Sequence, residues 1–235
     1  MMNLLGRYLG CISGGAYRLS RDFALELLEQ DRKARVLDIG CGDGYFTRQV
    51  ANKTRSDKIY GVEISPQYAE RSRQNGINVV MADIDIGLPF EDTSFDIVVS
   101  NQVLEHVNST DNFIRECHRI LKNGGICVSS TPNLASFHNI FSLILGYQPF
   151  AAAVSDELVC GNPLDPCDGQ QIPSYRRHRR IFTAPALRRL FEFHGFKVEA
   201  LKGVGLHPLP LFLSRHIKWT RYSLFLTIKA RKLEA

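Results

Sequence analysis

The sequence predicts an α/β fold with a doubly wound, mostly parallel sheet of seven strands whose last strand runs antiparallel. Strand-like and helix-like segments alternate from residue 35 to residue 130, which predicts parallel βαβ units. A short apolar run is followed by three glycines at alternate positions in "VLDIGCGDGYF". This pattern predicts a strand that turns tightly into a helix above a ligand. A length of 235 residues suffices for one sizeable core.

The first part of the chain supplies four predicted strands and three predicted helices. Apolar residues at helical spacing predict a helix over residues 17–30. A second helix should follow the glycines and end near Lys53, and a polar third helix should begin at Pro66 and end at Gly76. The four strands are predicted in "ARVLDIG", "KIYGVEIS", "INVVMADI" and "FDIVVS".

The second part of the chain continues this alternation. "STDNFIRECHRILKNGG" is the clearest helix, with capping candidates at residues 109–111, an apolar face, and Gly124-Gly125 as its predicted stop. "ICVSSTPN" is the fifth strand. A last helix should have Thr183 as its N-cap and Gly195 as its stop, before two final strands in "KVEALKGVG" and "SLFLTIKARK".

Residues 134–180 interrupt the alternation with the apolar helix candidate "LASFHNIFSLILGY" and a loop rich in Pro, Gly and Asp. Insertions beyond the carboxyl ends of strands often carry substrate contacts in such folds. We therefore predict three units. They are a ligand-binding core with an N-terminal helical lid (1–133), a small substrate cap inserted after strand 5 (134–180), and a segment that completes the core (181–235).

The bulk composition is that of an ordinary soluble globular protein, with 44% hydrophobic and 23% charged residues and a modest net charge of +5. Basic residues cluster in "RRHRR" (176–180) and near the C-terminus, where a solvated face is favoured over a nucleic-acid or anionic-lipid surface. Arg7 interrupts the apolar start, and no apolar run approaches the roughly 20 residues that span a bilayer. We expect no signal peptide and a cytoplasmic location.

The six cysteines contain no CxxC pair, and several lie in apolar runs where buried free thiols are expected. A reducing compartment fits this usage best. Cys160 and Cys167, with Asp165 between them, could hold a metal, but no His/Cys pair follows at zinc-finger spacing. The sequence therefore predicts no metal site.

The glycine turn is compatible with several adenosine-containing ligands. Glycines at 40, 42 and 44 let the backbone approach a ligand without a Cβ clash. Glu63, nineteen positions after Gly44, is well placed to accept hydrogen bonds from both ribose hydroxyls. On these residues alone, a dinucleotide enzyme remains an equal alternative.

Carboxylates around the turn favour a cationic ligand over a dinucleotide. Asp38, Asp43, Asp83 and Asp85 lie in or beside the predicted strand ends. They would repel a pyrophosphate by several kcal/mol at an intermediate effective dielectric. The spacing GxGxG also departs from the dinucleotide pattern GxGxxG. S-adenosylmethionine, with a sulfonium, an α-amine and one carboxylate, fits this set of charges.

The chain resembles a known enzyme family through four motifs in order: "VLDIGCGDGYF", "GVEIS", "ADIDIGLPFEDTSFDIVVSNQVLEHV" and "ECHRILKNGG". These look like the motifs of class I S-adenosylmethionine-dependent methyltransferases of the type 11 methyltransferase-domain group, which includes quinone-biosynthesis enzymes and small-molecule O-methyltransferases. The resemblance is strong over residues 20–130 and looser over residues 178–230. It implies a Rossmann-like fold and S-adenosylmethionine as cofactor.

The resemblance also implies a role for each matching residue. Carboxylates would hold the amine, the ribose and the adenine amino group, and the glycines would line the methionine portion. The implied cofactor residues are Asp38 for the amine, Gly40, Gly42 and Gly44 for the methionine portion, Glu63 for the ribose, Ile64, Asp83 and Ile84 for the adenine, and Asn101 and Gln102 beside the transferable methyl.

His106, in "LEHV", is the best-placed candidate for a general base, because it directly follows the strand that delivers Asn101. The alternative is a structural histidine that anchors the loop. His138 and His178 are second-rank candidates in or next to the insertion, and Tyr17, ahead of the first predicted helix, could close over the site.

The expected partner is a small-molecule acceptor, methylated on a hydroxyl of a sugar, a lipid-linked compound or a quinone-like ring. "LHPLPLFLSRHIKWTRY" could make peripheral membrane contact, although core packing is favoured. A nucleic-acid or protein methyltransferase is one alternative, but "SNQVLEH" stands where nucleic-acid amino methyltransferases often carry an Asn/Asp-Pro-Pro-aromatic motif. A non-catalytic cofactor-binding module is another. The oligomeric state does not follow from the sequence.

Overall fold

A mixed sheet forms the centre of the protein in the computed structural model, which describes residues 4–171, 178–206, 209 and 219–233. The strands are β1 (Arg35–Ile39), β2 (Lys58–Glu63), β3 (Asn78–Met81), β4 (Phe95–Asn101), β5 (Leu121–Pro132), β6 (Phe196–Val204) and β7 (Phe225–Lys232). Their order is β3-β2-β1-β4-β5-β7-β6, and β7 runs antiparallel to both of its neighbours. The predicted seven-stranded sheet with an antiparallel last strand is confirmed.

Helices cover both faces of this sheet. They are α1 (Leu4–Glu26), α2 (Tyr45–Thr54), α3 (Pro66–Gln74), α4 (Thr110–Ile120), α5 (Phe137–Ile144) and α6 (Ala184–Phe193), with a 3₁₀ turn at Thr220–Tyr222. Side-chain caps fix two of the helix starts, because the hydroxyls of Ser65 and Ser109 accept backbone N–H bonds from the first turns of α3 and α4. α1 begins well before residue 17, where the sequence placed its start.

Alternating residues of β1 supply two apolar clusters, as expected for a sheet covered on both faces. Leu37 and Ile39 join a cluster that includes Phe191 of α6, whereas Val36 joins a second cluster with Val50 of α2. The core therefore has two layers, which leaves the strand ends as the places where ligands can enter. No helix in the described ranges is long and apolar enough to cross a bilayer.

The predicted end of α4 at Gly124-Gly125 is wrong. The helix ends at Ile120, and β5 begins at Leu121, which is fully buried and pairs with Phe95 of β4. Both glycines belong to an irregular start of β5, where the register with β4 shifts. A Cβ on Gly125 would lie 2.9 Å from the Lys122 carbonyl oxygen, so the glycine permits a close backbone approach.

Strand β3 is shorter than predicted and ends at Met81, which pairs with Glu63 at the end of β2. Because β2 ends there, β3 has no further partner on that side. Asp83, predicted to end the strand, lies instead in the turn that follows it.

The insertion after β5 is anchored by Asn133, which is buried. Its side-chain amide donates to the carbonyl oxygens of Arg221 and Ser223 at 3.0 and 2.8 Å, and its backbone pairs with Phe182. Both ends of the insertion are thereby held against the start of β7. Residues 172–177, which include part of "RRHRR", and most of "LHPLPLFLSRHI" (207–208 and 210–218) lie outside the described residues.

Candidate active site

The glycine turn lies between β1 and α2, and its three glycines all have positive φ, at +74° for Gly40, +56° for Gly42 and +80° for Gly44. A Cβ on Gly40 would lie 2.5 Å from a methyl of Val103, and one on Gly44 would lie 2.7 Å from the Ser72 hydroxyl. A Cβ on Gly42 would meet no atom within 4 Å. Packing therefore accounts for Gly40 and Gly44, whereas Gly42 presents bare backbone to open space.

Glu63, at the end of β2, joins the glycine turn to the neighbouring loop. One carboxylate oxygen accepts a hydrogen bond from the backbone N–H of Gly42 at 2.9 Å, and the other accepts from the N–H of Ser65 at 2.9 Å. Each oxygen keeps a further acceptor position, because a carboxylate offers about four lone-pair sites. The carboxylate can thus hold its place in the protein and also accept from a ligand.

Asp38, near the end of β1, is almost completely buried beside the turn. Burial raises the pKa of its carboxyl from the ordinary 3.8 to about 7, against the opposing effects of a 2.7 Å hydrogen bond from the Thr47 hydroxyl and of the nearby positive charge of Arg21. A cation that binds next to Asp38 would therefore stabilise the ionised form of its carboxyl group.

Arg21 and Thr47 were not singled out from the sequence. The Arg21 guanidinium lies over the rings of Tyr17 and Phe46, 4.7 and 5.5 Å from their centroids. Its Nε is buried and makes no hydrogen bond within the described part of the chain. The fold, in which α1 packs against α2, β5, β6 and β7, brings this cation close to Asp38.

The turn after β3 contains the predicted adenine residues. The carboxylate of Asp83 accepts a 2.9 Å hydrogen bond from the N–H of Asp85, whose own carboxylate accepts two 2.7 Å bonds from Asn108. Ile84 is half-buried against the core, whereas Ile64, at the end of β2, is 60% exposed. The exposed side chain of Ile64 provides apolar surface next to Glu63.

The end of β4 carries a connected polar group. The Asn101 amide donates to the Tyr17 hydroxyl at 3.2 Å, and its carbonyl oxygen accepts from Ser130 at 2.7 Å. Gln102 has a φ of +58°, which is uncommon for a residue other than glycine and is often associated with functional sites. Tyr17 lies within α1 rather than ahead of the first helix, so the predicted position is corrected, and its hydroxyl does reach the end of β4.

Beyond Gln102 the chain forms a turn that carries Glu105 and His106. Glu105 is fully buried, and burial raises the pKa of its carboxyl to about 8. His106 Nε2 lies 4.0 Å from a carboxylate oxygen of Glu105, and the His106 and His178 rings lie 5.0 Å apart. Burial and the adjacent His106 lower the pKa of His178 to about 4. His138 packs instead against the ring of Phe150 in the insertion.

A cavity of about 200 Å³ lies within the insertion. Its lining combines apolar side chains with polar ones, and His178 connects it to Glu105 and His106. Its polar lining residues include Gln148, Cys160, Asn162, Asp165, Cys167 and His178. The cavity is thus separate from the glycine turn and adjoins the segment that follows β4.

Residues 37–129 match the family model described as a methyltransferase domain, and this range runs from β1 to β5. It includes the open backbone of Gly42 and the carboxylates of Asp38 and Glu63. Residues 37–129 are a methyltransferase domain of the type 11 group. The cofactor of this family is S-adenosylmethionine, as the carboxylates around the turn predicted.

Named proteins resemble this methyltransferase domain in sequence. A protein of Mycolicibacterium smegmatis, named a probable S-adenosylmethionine-dependent methyltransferase, is 29% identical over 170 residues, or 72% of this chain and 54% of that protein. A malonyl-[acyl-carrier protein] O-methyltransferase of Acetivibrio thermocellus is 32% identical over 111 residues, or 46% of this chain and 39% of that protein. The chain therefore spans about half or less of the length of these curated relatives.

A solved structure supports the fold over nearly the whole chain. The S-adenosylmethionine-dependent methyltransferase of Mesorhizobium loti superposes with a TM-score of 0.63 at 20% identity and covers 94% of this chain and 100% of that one. At this level of identity the likeness concerns the fold, which includes β6 and β7 outside the matched family range.

Proposed function

We propose that the protein transfers the methyl group of S-adenosylmethionine to a hydroxyl of a small-molecule acceptor. The observation that carries this proposal is the open face of Gly42 between the carboxylates of Asp38 and Glu63. Bare backbone admits a ligand closely, and flanking negative charge favours a sulfonium and an ammonium group over a pyrophosphate.

In this proposal, the residues that the sequence suggested would hold the cofactor. Asp38 would bind the ammonium group, Glu63 would accept from the ribose hydroxyls, and Ile64 would pack against the adenine. The remaining contacts are Asp83 and Ile84 at the adenine edge, the glycines of the turn along the methionine portion, and Asn101 and Gln102 beside the methyl group. The half-buried cation of Arg21, next to Asp38, is suited to the cofactor carboxylate.

For methyl transfer, the protein has to position the acceptor more than it has to polarise the carbon–sulfur bond. A sulfonium is already a good leaving group, so the protein has to align an acceptor oxygen with the methyl carbon and exclude water, which can contribute about 7–11 kcal/mol. The oxygen forms a bond to the methyl carbon as the carbon–sulfur bond breaks, and the hydroxyl proton leaves to a base or to solvent. The cavity in the insertion is the proposed acceptor site, since it adjoins the segment after β4.

One relative supports an oxygen acceptor, the broader class to which a hydroxyl belongs. The Acetivibrio thermocellus relative is named an O-methyltransferase. A neutral oxygen acceptor is also compatible with a cavity whose polar lining consists of amide, thiol, imidazole and carboxyl side chains. A panel of alcohols, phenols, carboxylic acids and amines, with S-adenosylhomocysteine release as the readout, tests this choice. Turnover with amines alone would contradict it.

The cofactor proposal is tested by calorimetric titration of the protein with S-adenosylhomocysteine and, separately, with NAD. We expect stoichiometric binding of S-adenosylhomocysteine and at least about a hundredfold weaker binding of NAD. The carboxylates of the site repel the pyrophosphate of NAD by several kcal/mol, whereas S-adenosylhomocysteine has no pyrophosphate. Preferential binding of NAD would refute the proposal.

Cofactor affinity should depend on pH through Asp38, whose pKa is about 7 in the free protein. The ligand ammonium favours the ionised carboxylate, so S-adenosylhomocysteine should bind roughly eightfold more weakly at about pH 6 than at about pH 7.5. Stability of the free protein should change in the opposite sense. Because folding raises this pKa above 3.8, the folded state binds the extra proton, and this contribution to stability is lost as pH rises towards about 7.

Titrations at the two pH values check this expectation, with Asp38→Asn as the control. The asparagine keeps the size of the side chain and should bind weakly at both pH values. A pH dependence that persists unchanged in Asp38→Asn would assign it to another group.

Two alanine substitutions in the glycine turn should have different effects. In Gly42→Ala, the positive φ costs about 1–2 kcal/mol of stability, and the new methyl group projects into the proposed cofactor space, so S-adenosylhomocysteine binding should be largely lost. In Gly40→Ala, the same strain adds to a 2.5 Å clash with Val103, so stability should fall by a further 1–3 kcal/mol or so. Urea unfolding and calorimetry separate the two effects, and normal binding by Gly42→Ala would contradict the proposed site.

A further inference from the structure

We propose that Glu105, His106 and His178 bind a divalent transition-metal ion where the segment after β4 meets the insertion. One ligand atom from each residue, a carboxylate oxygen or a ring nitrogen, lies within 4.8 Å of the others. His178 is distant in sequence, so the three residues meet only in the folded protein. The sequence predicted no metal site because its cysteines lack partners at zinc-finger spacing, and this cluster contains no cysteine.

The buried carboxylate of Glu105 is the feature that most favours a bound cation. Its side chain has 0% exposure, and its own backbone N–H and the Thr131 hydroxyl lie near the carboxylate, but neither oxygen has a hydrogen bond of ordinary geometry among the described residues. Buried carboxylates are normally paired, hydrogen-bonded or bound to a metal. The two imidazoles beside this carboxylate complete a ligand set and supply no fixed positive charge.

The geometry and the donor types point to one class of ion. In a tetrahedral site with bonds of about 2.0–2.1 Å, neighbouring ligand atoms lie about 3.4 Å apart. To reach this spacing, the Glu105–His106 pair, now 4.0 Å apart, would close by about 0.6 Å, and a pair at the 4.8 Å limit of the cluster would close by about 1.4 Å. Two nitrogen donors and one oxygen donor suit Zn²⁺, Fe²⁺, Mn²⁺ or Co²⁺ better than Mg²⁺ or Ca²⁺, which prefer oxygen.

The position of the cluster suggests what such an ion would do. Three protein ligands leave at least one coordination position open. Glu105 lies three residues beyond Gln102, beside the proposed methyl-transfer site, and His178 lines the cavity proposed for the acceptor. An ion here would bind the acceptor oxygen and lower the pKa of its hydroxyl, so that the proton is lost more readily before methyl transfer. This role rests on the proposed function, whereas the binding of the ion does not.

Titration of the EDTA-treated, dialysed protein with Co²⁺ tests the proposal, because Co²⁺ bound by nitrogen and oxygen ligands gives a visible absorption spectrum. We expect one equivalent to bind the wild type, with displacement by Zn²⁺. Loss of a second-shell partner costs about 10–100-fold in metal affinity, so loss of a ligand in Glu105→Gln or in His178→Gln should cost at least about a hundredfold. Circular dichroism establishes that each variant is folded.

The matched control is His194→Gln. His194 Nε2 lies 2.9 Å from a carboxylate oxygen of Asp111, so it also forms a histidine–carboxylate pair, but outside the cluster. Its variant should bind Co²⁺ as the wild type does. Equal binding by wild type, Glu105→Gln and His178→Gln would overturn the proposal. So would a wild type that takes up no stoichiometric Co²⁺ below about 100 μM.

A parallel titration with S-adenosylhomocysteine keeps the two proposals distinct. Co²⁺ binding without S-adenosylhomocysteine binding would support the metal site and refute the proposed function. The reverse result would refute the metal site alone.

Discussion

Substitution of Glu63 by alanine is expected to weaken S-adenosylhomocysteine binding by at least about a hundredfold. Two hydrogen bonds from ribose hydroxyls to a carboxylate contribute about 1.5–3 kcal/mol each, which corresponds to roughly 10²–10⁴ in affinity. The substitution also removes the acceptor for the N–H groups of Gly42 and Ser65, so the turn loses the contact that holds it beside β2. Both effects weaken the binding of S-adenosylhomocysteine.

Isothermal titration measures this loss, with Glu70→Ala as the control. Glu70 is an exposed acid of α3 whose partner is Arg73, so its removal changes the net charge equally and leaves the site intact. Glu63→Gln separates charge from geometry, since it keeps one acceptor oxygen and should lie between the wild type and alanine. Affinity within threefold or so of the wild type for Glu63→Ala would exclude the proposed ribose contact.

The fold was predictable because its signals are local in sequence. Each βαβ unit carries its own apolar strand, polar helix and glycine or proline boundary, so the order of the elements follows from patterns a few residues long. The position of the proposed cofactor residues at the strand ends was predictable for the same reason. Asp38, Gly42 and Glu63 lie within one strand–helix–strand unit, and parallel strands place their carboxyl ends at the same edge of the sheet.

Element boundaries that depend on strand pairing were not predictable. Gly124-Gly125 resembles a helix stop, but the pairing of Leu121 with Phe95 extends β5 across it. β3 ends early because β2 offers it no partner after Glu63. In both cases a neighbour distant in sequence decides the conformation, and local propensity gives way to it.

Individual contacts between residues of different elements were not predicted, although Tyr17 was expected to close over the site. Tyr17 and Asn101 are 84 residues apart, yet their side chains form a hydrogen bond. Arg21 affects Asp38 because tertiary packing of α1 against α2 and the sheet brings the two side chains together. His106 was a candidate base by its position after β4, but its proximity to Glu105 and His178 is a tertiary feature without a sequence signature.

Turnover should fall by about 10²–10⁴ in His106→Ala, whereas S-adenosylhomocysteine affinity should stay within about threefold of the wild type. This difference is expected if His106, as proposed, acts on the acceptor hydroxyl rather than on the cofactor. With any acceptor that gives turnover in the panel, kcat is measured from S-adenosylhomocysteine release. The His194→Gln control should keep full activity.

The pattern across the cluster identifies how His106 acts. If it is a metal ligand, Glu105→Gln and His178→Gln should lower kcat by a similar factor, and chelation of the wild type should do the same until Co²⁺ or Zn²⁺ is restored. If it is a general base alone, chelation should leave kcat unchanged, and only His106→Ala should show the large loss. A decrease in kcat of less than about tenfold in all three variants would show that these residues only stabilise the loop. A metal ligand or a general base would each give a larger decrease. The three outcomes differ in which variants respond and in whether added metal restores the rate.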